Sequence, residues 1–261
     1  MCYKPVSFDS MNTNRIPKII HYCWLSNDPF PKDIAAFITS WKKILPDYEF
    51  MLWDLKRDQV GENLWVKQSF EAKKYAFAAD YIRIYALHQY GGIYLDTDVE
   101  VIRKFDDLLH LPYFAGTEGG SWIEAAVFGA VKGADWLKEI LAYFDKPFVN
   151  TDGSYAMITL PQVMNGIIEK KRKIIVADKN EIFEKADQNY RTHFYLFEKD
   201  FFSLKNMGTG VISRTNNTYA IHHFAMSWIP ANQKFIPNLK RALMKVFGVE
   251  TINAVIRLLK K

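Results

Sequence analysis

The sequence has few cysteines and no long apolar run, and both shortages exclude classes of protein. Two cysteines, Cys2 and Cys23, occur among 261 residues, which is too few for a disulfide-stapled scaffold. No window approaches the apolar length that spans a bilayer, and residues 1–15 lack the apolar core of a signal peptide. We therefore expect a cytoplasmic protein in which 1–15 is a flexible extension and Cys23 is a small buried residue.

The excess of positive charge is small and lies at one end of the chain. The formal net charge is +5, and residues 236–261 hold six Lys/Arg against one acid, Glu250, so the preceding residues are neutral overall. We therefore expect no nucleic-acid partner. Apolar residues in 236–261 are spaced for two short amphipathic helices on either side of Gly248. Such a basic tail either lies at an anionic membrane surface, which would make the protein peripheral, or packs on the rest of the protein.

Alternating element types indicate the fold class. Residues 18–24 form an apolar run typical of a buried strand, 32–45 fit a helix, and 48–53 predict a second strand. This β-α-β order is typical of a parallel, nucleotide-binding sheet. No linker or internal repeat divides the chain, so we expect one α/β domain over 1–235.

A helix and the strand after it lead to the main motif. Residues 71–90 carry strong helix formers with one apolar face, and Gly91-Gly92 predicts a left-handed end to the helix. A strand at 93–95 follows. Other elements are expected as strands near 125–130, 174–177 and 218–222 and as helices near 135–144 and 160–169.

Asp96-Thr97-Asp98 directly follows that apolar strand. Alternate residues of a strand point to one side, so Asp96 and Asp98 present their carboxylates together. Such a pair binds a hard divalent cation, which would offset the charge of a departing diphosphate. An isolated Asp-x-Asp is common by chance, so the motif needs support from its context.

Three ordered motifs supply that context: 16–24 (Ile-Pro-Lys-Ile-Ile-His-Tyr-Cys-Trp), 73–101, and 222–228 (His-His-Phe-Ala-Met-Ser-Trp). Together they resemble glycosyltransferase family 32, the enzymes with an Asp-x-Asp sugar-binding signature, which includes yeast-type initiating α-1,6-mannosyltransferases and capsular polysaccharide enzymes. The clostridial glucosylating toxins are more distantly similar. The resemblance implies a GT-A fold: a mixed, mainly parallel sheet with helical additions at the C-terminus.

The resemblance also implies a metal site. Asp98 would bind Mn²⁺ or Mg²⁺ directly, and Asp96 would bind ribose or reach the metal through water. His222 would complete the ligand set, because imidazole suits Mn²⁺ and leaves room for phosphate oxygens. A purely structural histidine is the alternative for His222, and His223 could also take the role of ligand.

Other residues are implied to bind the donor. Trp24 would stack on the base, although a core tryptophan fits the sequence equally well. Asp80 and Arg83 would contact the donor sugar, and an ordinary intrahelical ion pair is the alternative for residues three apart. The family usually has Ser before this Asp, where Ala79 stands here. The remaining donor-binding residues that the resemblance implies are His21, Ser227 and Trp228.

The resemblance implies a retaining hexosyltransferase that uses a UDP- or GDP-sugar. The acceptor would be a saccharide or lipid-linked saccharide in surface polysaccharide synthesis, and Glu124 is a candidate sugar contact. One alternative is a binding module for nucleotide sugars or glycans that has no turnover. Another is a phosphatase of the haloacid dehalogenase type, but Glu100 stands where those enzymes carry Thr or Val after their Asp-x-Asp pair.

Overall fold

The computed structural model describes residues 15–26, 28–205 and 211–224, together with 243, 244, 248, 251, 252 and 254. Of the predicted flexible extension at 1–15, residues 1–14 lie outside the described residues, as does most of the predicted tail at 236–261, whereas the backbone N–H of Arg15 donates to Leu109 O. The strands are β1 Ile19–Cys23, β2 Glu49–Trp53, β3 Gly92–Leu95, β4 Val99–Val101, β5 Tyr113–Gly119, β6 Trp122–Ala130, β7 Lys173–Ala177, β8 His193–Phe197 and β9 Ala220–His222. The helices are α1 Lys32–Ile44, α2 Leu64–Glu71, α3 Tyr75–Tyr90, α4 Asp135–Leu141, α5 Leu160–Ile168 and α6 Lys179–Lys185.

Seven of the described strands form one sheet in the order β2-β1-β3-β6-β5-β8-β7. The neighbours β2, β1 and β3 are parallel, as are β5, β8 and β7, whereas β6 runs antiparallel to β3 and β5. A separate antiparallel ribbon pairs β4 with β9. The predicted α/β class, with a mixed and mainly parallel sheet, is confirmed.

Both faces of the sheet are covered, as the apolar strands require. Alternate residues of β3 point to opposite sides, so Tyr94 packs in one core cluster and Ile93 and Leu95 in the other. Cys23 is buried in the first cluster, as predicted. Within the described part of the chain, no helix is both long and apolar enough to cross a membrane.

The predicted helix at 71–90 is wrong in its first turn. The structure ends α2 at Glu71 and starts α3 at Tyr75, and Lys73 between them has a φ of +58°. This left-handed conformation breaks a helix, but it is normally signalled by Gly or Asn and not by Lys. The predicted end of the helix is confirmed, since Gly91 has a φ of +68° and donates its N–H to Leu87 O.

His21 holds the centre of the sheet together. Its Nε2 lies 2.8 Å from Gly91 O, and its Nδ1 accepts from Trp53 Nε1 at 3.0 Å. These partners fix the proton on Nε2 and join β1 to β2 and to the turn before β3. A Cβ at Gly92 would lie 2.6 Å from Ile19 O, so this turn also requires glycine.

We predict that His21 lowers the stability of the fold at acidic pH. Burial lowers the pKa of His21 to about 4. Between pH 6.5 and 4 the unfolded chain therefore binds a proton at His21, whereas the folded chain does not. Its contribution is therefore fully present above pH 6.5 and is lost as the pH falls towards 4, by about 3 kcal/mol. Urea unfolding of wild type and His21→Gln at pH 6.5 and 4.5 measures this contribution. Equal pH dependence in the two proteins would contradict it.

Candidate functional site

A cleft of about 1030 Å³ opens where β1 and β3 end. These strands are parallel neighbours, so the residues that follow them meet at one edge of the sheet. The walls include five residues predicted from the sequence: Trp24, Arg83, Asp96, Asp98 and His222.

The Asp-x-Asp motif forms a tight turn and does not continue the strand. Val99 N donates to Asp96 O at 3.0 Å, and Asp96 N donates to Ala126 O of β6 at 2.9 Å. The carboxylates of Asp96 and Asp98 still meet, but the turn brings them together and not strand alternation. This is a correction to the expected geometry.

The β4–β9 ribbon brings His222 to the motif. Val99 pairs with His222, and the His223 N–H donates to Asp98 O at 3.1 Å. His222 Nε2 consequently lies 3.5 Å from Asp98 Oδ1. One ligand atom from each of Asp96, Asp98 and His222 lies within 4.8 Å of the others.

The neighbouring His223 is engaged elsewhere. Its Nε2 lies 2.9 Å from Glu100 Oε2, and its ring stacks on Phe37 with centroids 4.9 Å apart. Of the two histidines that the motif offered, His222 is therefore the one grouped with Asp96 and Asp98.

Arg83 is a buried cation that lines the cleft. Its guanidinium lies 3.2 Å from both Asp80 and Asp96, and Nη1 donates to Ala125 O at 2.7 Å. It also lies 4.7 Å above the Tyr94 ring. Arg83 therefore forms the intrahelical ion pair with Asp80 and also lines the cleft, so the two interpretations from the sequence are compatible. Burial opposes its charge, but Asp96, Tyr94 and Asp80 raise its pKa.

The two acids around Arg83 differ in position. Asp80 is buried and is not among the side chains that line the cleft. Burial raises the pKa of Asp80 to about 7, and Arg83 only partly opposes this. Burial also raises the pKa of Asp96, which lines the cleft and accepts from Tyr94 OH at 3.1 Å. Asp80 therefore contacts Arg83, and Arg83 in turn lines the cleft.

Trp24 lies at the wall and not in the core. The ring is half-buried, its Nε1 donates to Asp28 O at 2.9 Å, and it packs 5.0 Å from Phe30. This contact fixes the ring beside the cleft, where a planar ligand can stack on it.

Not every predicted site residue reaches the cleft. His21 is fully buried, and both of its ring nitrogens form hydrogen bonds within the protein. It therefore holds β1 in place and has no free nitrogen to bind the sugar donor. Ser227 and Trp228 lie outside the described residues. Sequence reasoning also missed Tyr75, Glu118 and Trp122, which line the cleft. Their exposure depends on long-range packing that no local pattern signals.

His222 lies between two carboxylates. Its Nδ1 is 3.3 Å from Glu124 Oε1, on the side opposite Asp98. Burial opposes a charge on His222, but Glu124 and Asp98 raise its pKa well above the usual value. Burial likewise opposes ionisation of Glu124, yet His222, Ala126 N–H and Ser203 lower its pKa. Burial and the charge of Glu124 raise the pKa of Glu118 to about 7.

This donor set fits a divalent cation. Two carboxylates and one imidazole are ligands that Mn²⁺ accepts, and few enough to leave positions for phosphate oxygens. His222 presents Nε2 on the side of Asp98, where it can bind the cation, and Nδ1 on the side of Glu124.

Comparisons with known proteins agree with the motifs. Residues 31–115 match the family model described as the glycosyltransferase sugar-binding region containing the DXD motif. Inositol phosphoceramide mannosyltransferase 3 of Schizosaccharomyces pombe is 28% identical over 81% of this chain and 60% of its own length. Mannosyl phosphorylinositol ceramide synthase SUR1 of Saccharomyces cerevisiae is 28% identical over 70% of this chain and 49% of its own length. The chain thus spans 60% and 49% of the lengths of these two relatives.

Solved structures give a weaker likeness. The PaToxG glycosyltransferase structure is 18% identical, with a TM-score of 0.48, and the match covers 59% of this chain and 68% of that one.

Proposed function

We propose, from the premise that this chain carries the glycosyltransferase sugar-binding region with its DXD motif, that the protein transfers a sugar from a UDP- or GDP-sugar to an acceptor. The family resemblance predicted from the three sequence motifs is confirmed by this match. The observation that carries the proposal is the meeting of Asp96, Asp98 and His222 beside Arg83 in one cleft.

Each side chain has a role in the proposed reaction. Asp98 and His222 would hold Mn²⁺ or Mg²⁺, with Asp96 bound directly or through water. When bound, the cation offsets the negative charge of the departing diphosphate. Arg83 contacts the donor sugar, and its bonds to Asp80 and Ala125 O keep it in one orientation.

Retention of configuration is also part of the proposal. Glu124, the sugar contact considered from the sequence, is fully buried and is not among the residues that line the cleft. This burial argues against Glu124 as a nucleophile. A front-side displacement remains, in which the leaving diphosphate assists the acceptor hydroxyl and no protein nucleophile is needed.

The relatives suggest where to look for substrates. Their names describe mannosyl transfer to inositol phosphoceramide by those proteins. For this chain we propose a saccharide or lipid-linked acceptor in surface polysaccharide synthesis. We also propose that 236–261 brings the cleft to the inner face of an anionic membrane.

We predict that Trp24→Ala weakens donor binding more than it slows the chemistry. A ring stacked on the base stabilises ground state and transition state alike, so KM for the donor rises while kcat changes little. The expected loss is about 1–3 kcal/mol, as for base stacking elsewhere. Steady-state kinetics with thermal unfolding as a control would measure it. A large fall in unfolding temperature with unchanged KM would instead indicate a packing role.

The test of the proposed function is a panel of nucleotide sugars, with GDP-mannose first. The protein is incubated with each donor and Mn²⁺, Mg²⁺ or EDTA, and released nucleoside diphosphate is measured. Slow release with one donor, abolished by EDTA, supports a transferase. Donor binding without release would support a binding module, and an aspartyl-phosphate formed from an acyl phosphate would support a phosphatase.

A further inference from the structure

Glu124 is a buried acid with an unusual set of neighbours. It lies on β6 with no exposed surface, and its Oε1 accepts from Ala126 N at 2.7 Å. The same Oε1 lies 3.3 Å from His222 Nδ1, as an ion-pair contact and not an aligned hydrogen bond. Among the described residues, Glu124 Oε2 has no hydrogen-bond partner of normal geometry, and neither has the Ser203 hydroxyl.

Such an arrangement is costly for a purely structural residue. A buried carboxylate loses its hydration, and an oxygen without a full set of partners recovers only part of that loss. Ile123 and Ala125, which flank Glu124 in β6, are buried in one core cluster, and strand alternation turns Glu124 to the opposite side, towards His222. Among the described residues, the oppositely charged partner of Glu124 is His222, which faces it with Nδ1.

We propose that Glu124 is a positioning residue that holds His222 in the tautomer and orientation of a metal ligand. A small rotation of the imidazole aligns Nδ1–H with Glu124 Oε1. That bond keeps the proton on Nδ1 and leaves the Nε2 lone pair facing Asp98. Carboxylates behind a ligating histidine act in this way in metal sites generally. The inference rests on the proposed function, because it requires His222 to bind a metal.

The test is the affinity of the full-length, metal-free protein for Mn²⁺ alone, measured by titration with electron paramagnetic resonance of free Mn²⁺. Glu124→Leu removes the acceptor and should weaken Mn²⁺ binding about 10–100-fold. Glu124→Gln keeps an acceptor oxygen and should lose less than Glu124→Leu. The matched control is Glu100→Gln, which alters the carboxylate paired with His223 and should change the affinity by less than about threefold.

Two further readouts separate positioning from folding. Thermal unfolding without metal should fall in Glu124→Leu, because His222 loses its buried partner and the Ala126 N–H loses its acceptor; it should fall less in Glu124→Gln, which keeps an acceptor oxygen, so the Mn²⁺ affinity of that variant reports positioning. The ¹⁴N modulation of bound Mn²⁺, which reports a directly bound imidazole, should persist in Glu124→Gln and be lost in His222→Ala. If Glu124→Leu does not fold, the affinity of Glu124→Gln decides: a value equal to wild type overturns the proposal.

The outcomes distinguish the inference from its premise. Wild type that binds Mn²⁺ with the ¹⁴N signal, while both Glu124 variants bind equally well, overturns the role of Glu124 alone. Wild type that does not bind Mn²⁺ overturns the proposed metal site as well. An equal loss of affinity in Glu100→Gln also counts against Glu124, because it would reflect total charge and not the partner of His222.

Discussion

Asp98→Ala should abolish sugar transfer at any metal concentration. Asp98 supplies one of the two carboxylates of the three-residue group, and without it the charge of the leaving diphosphate stays uncompensated. Charge stabilisation by a metal is worth several kcal/mol, so the loss in kcat is about 10³-fold or more. Asp98→Asn should be nearly as inactive, because an amide lacks the charge that binds the cation.

The measurement for Asp98 is release of nucleoside diphosphate across a Mn²⁺ titration. Glu100→Gln is the control, since it removes an acid two residues away that faces His223; it should retain most of the activity. Wild-type rates from Asp98→Ala at saturating Mn²⁺ would show that the metal assignment is wrong.

Arg83→Met should have the largest effect on stability. The substitution leaves the carboxylates of Asp80 and Asp96 without their cation and Ala125 O without its donor. Removing one partner of a buried charge network costs about 3–5 kcal/mol. We expect this loss in the free energy of unfolding from urea titrations, together with loss of turnover.

A surface variant and a double variant serve as controls for Arg83→Met. Lys185→Met removes the exposed pair with Glu181 and should cost less than about 1 kcal/mol. Combining Arg83→Met with Asp80→Asn should recover part of the loss, because one stranded acid is neutralised. A cost for Arg83→Met no larger than that for Lys185→Met would contradict the network.

The sequence predicts the parts of the fold whose cause is local. The strand predicted at 18–24, the helix predicted at 32–45 and the strand predicted at 48–53 agree with β1, α1 and β2 to within one residue at each end. Their apolar spacing and bounding prolines act over a few residues. The Gly91-Gly92 turn was also predicted, because a left-handed backbone there requires glycine. By contrast, the sequence does not predict β4, β5 or β8, since strand pairing decides them.

The candidate site divides in the same way. The sequence places Asp96 and Asp98 directly after a strand, and that order is enough to predict a carboxylate pair. The contact of His222 with Asp98 depends on the register of β4 and β9, which only the family resemblance indicated. The resemblance assigns both His21 and Trp24 to the sugar donor. His21 lies within β1 and is buried in the core, whereas Trp24 follows the end of β1 and lines the cleft. The strand end is what decides access to the cleft.

The most direct test of a metal-dependent donor site is anomalous diffraction at the manganese edge from crystals grown with Mn²⁺ and UDP or GDP. The account predicts one strong peak bonded to Asp98 and His222, beside the diphosphate, with Trp24 against the base. A diphosphate bound in the cleft without manganese at these residues, or manganese bound only elsewhere, would contradict it.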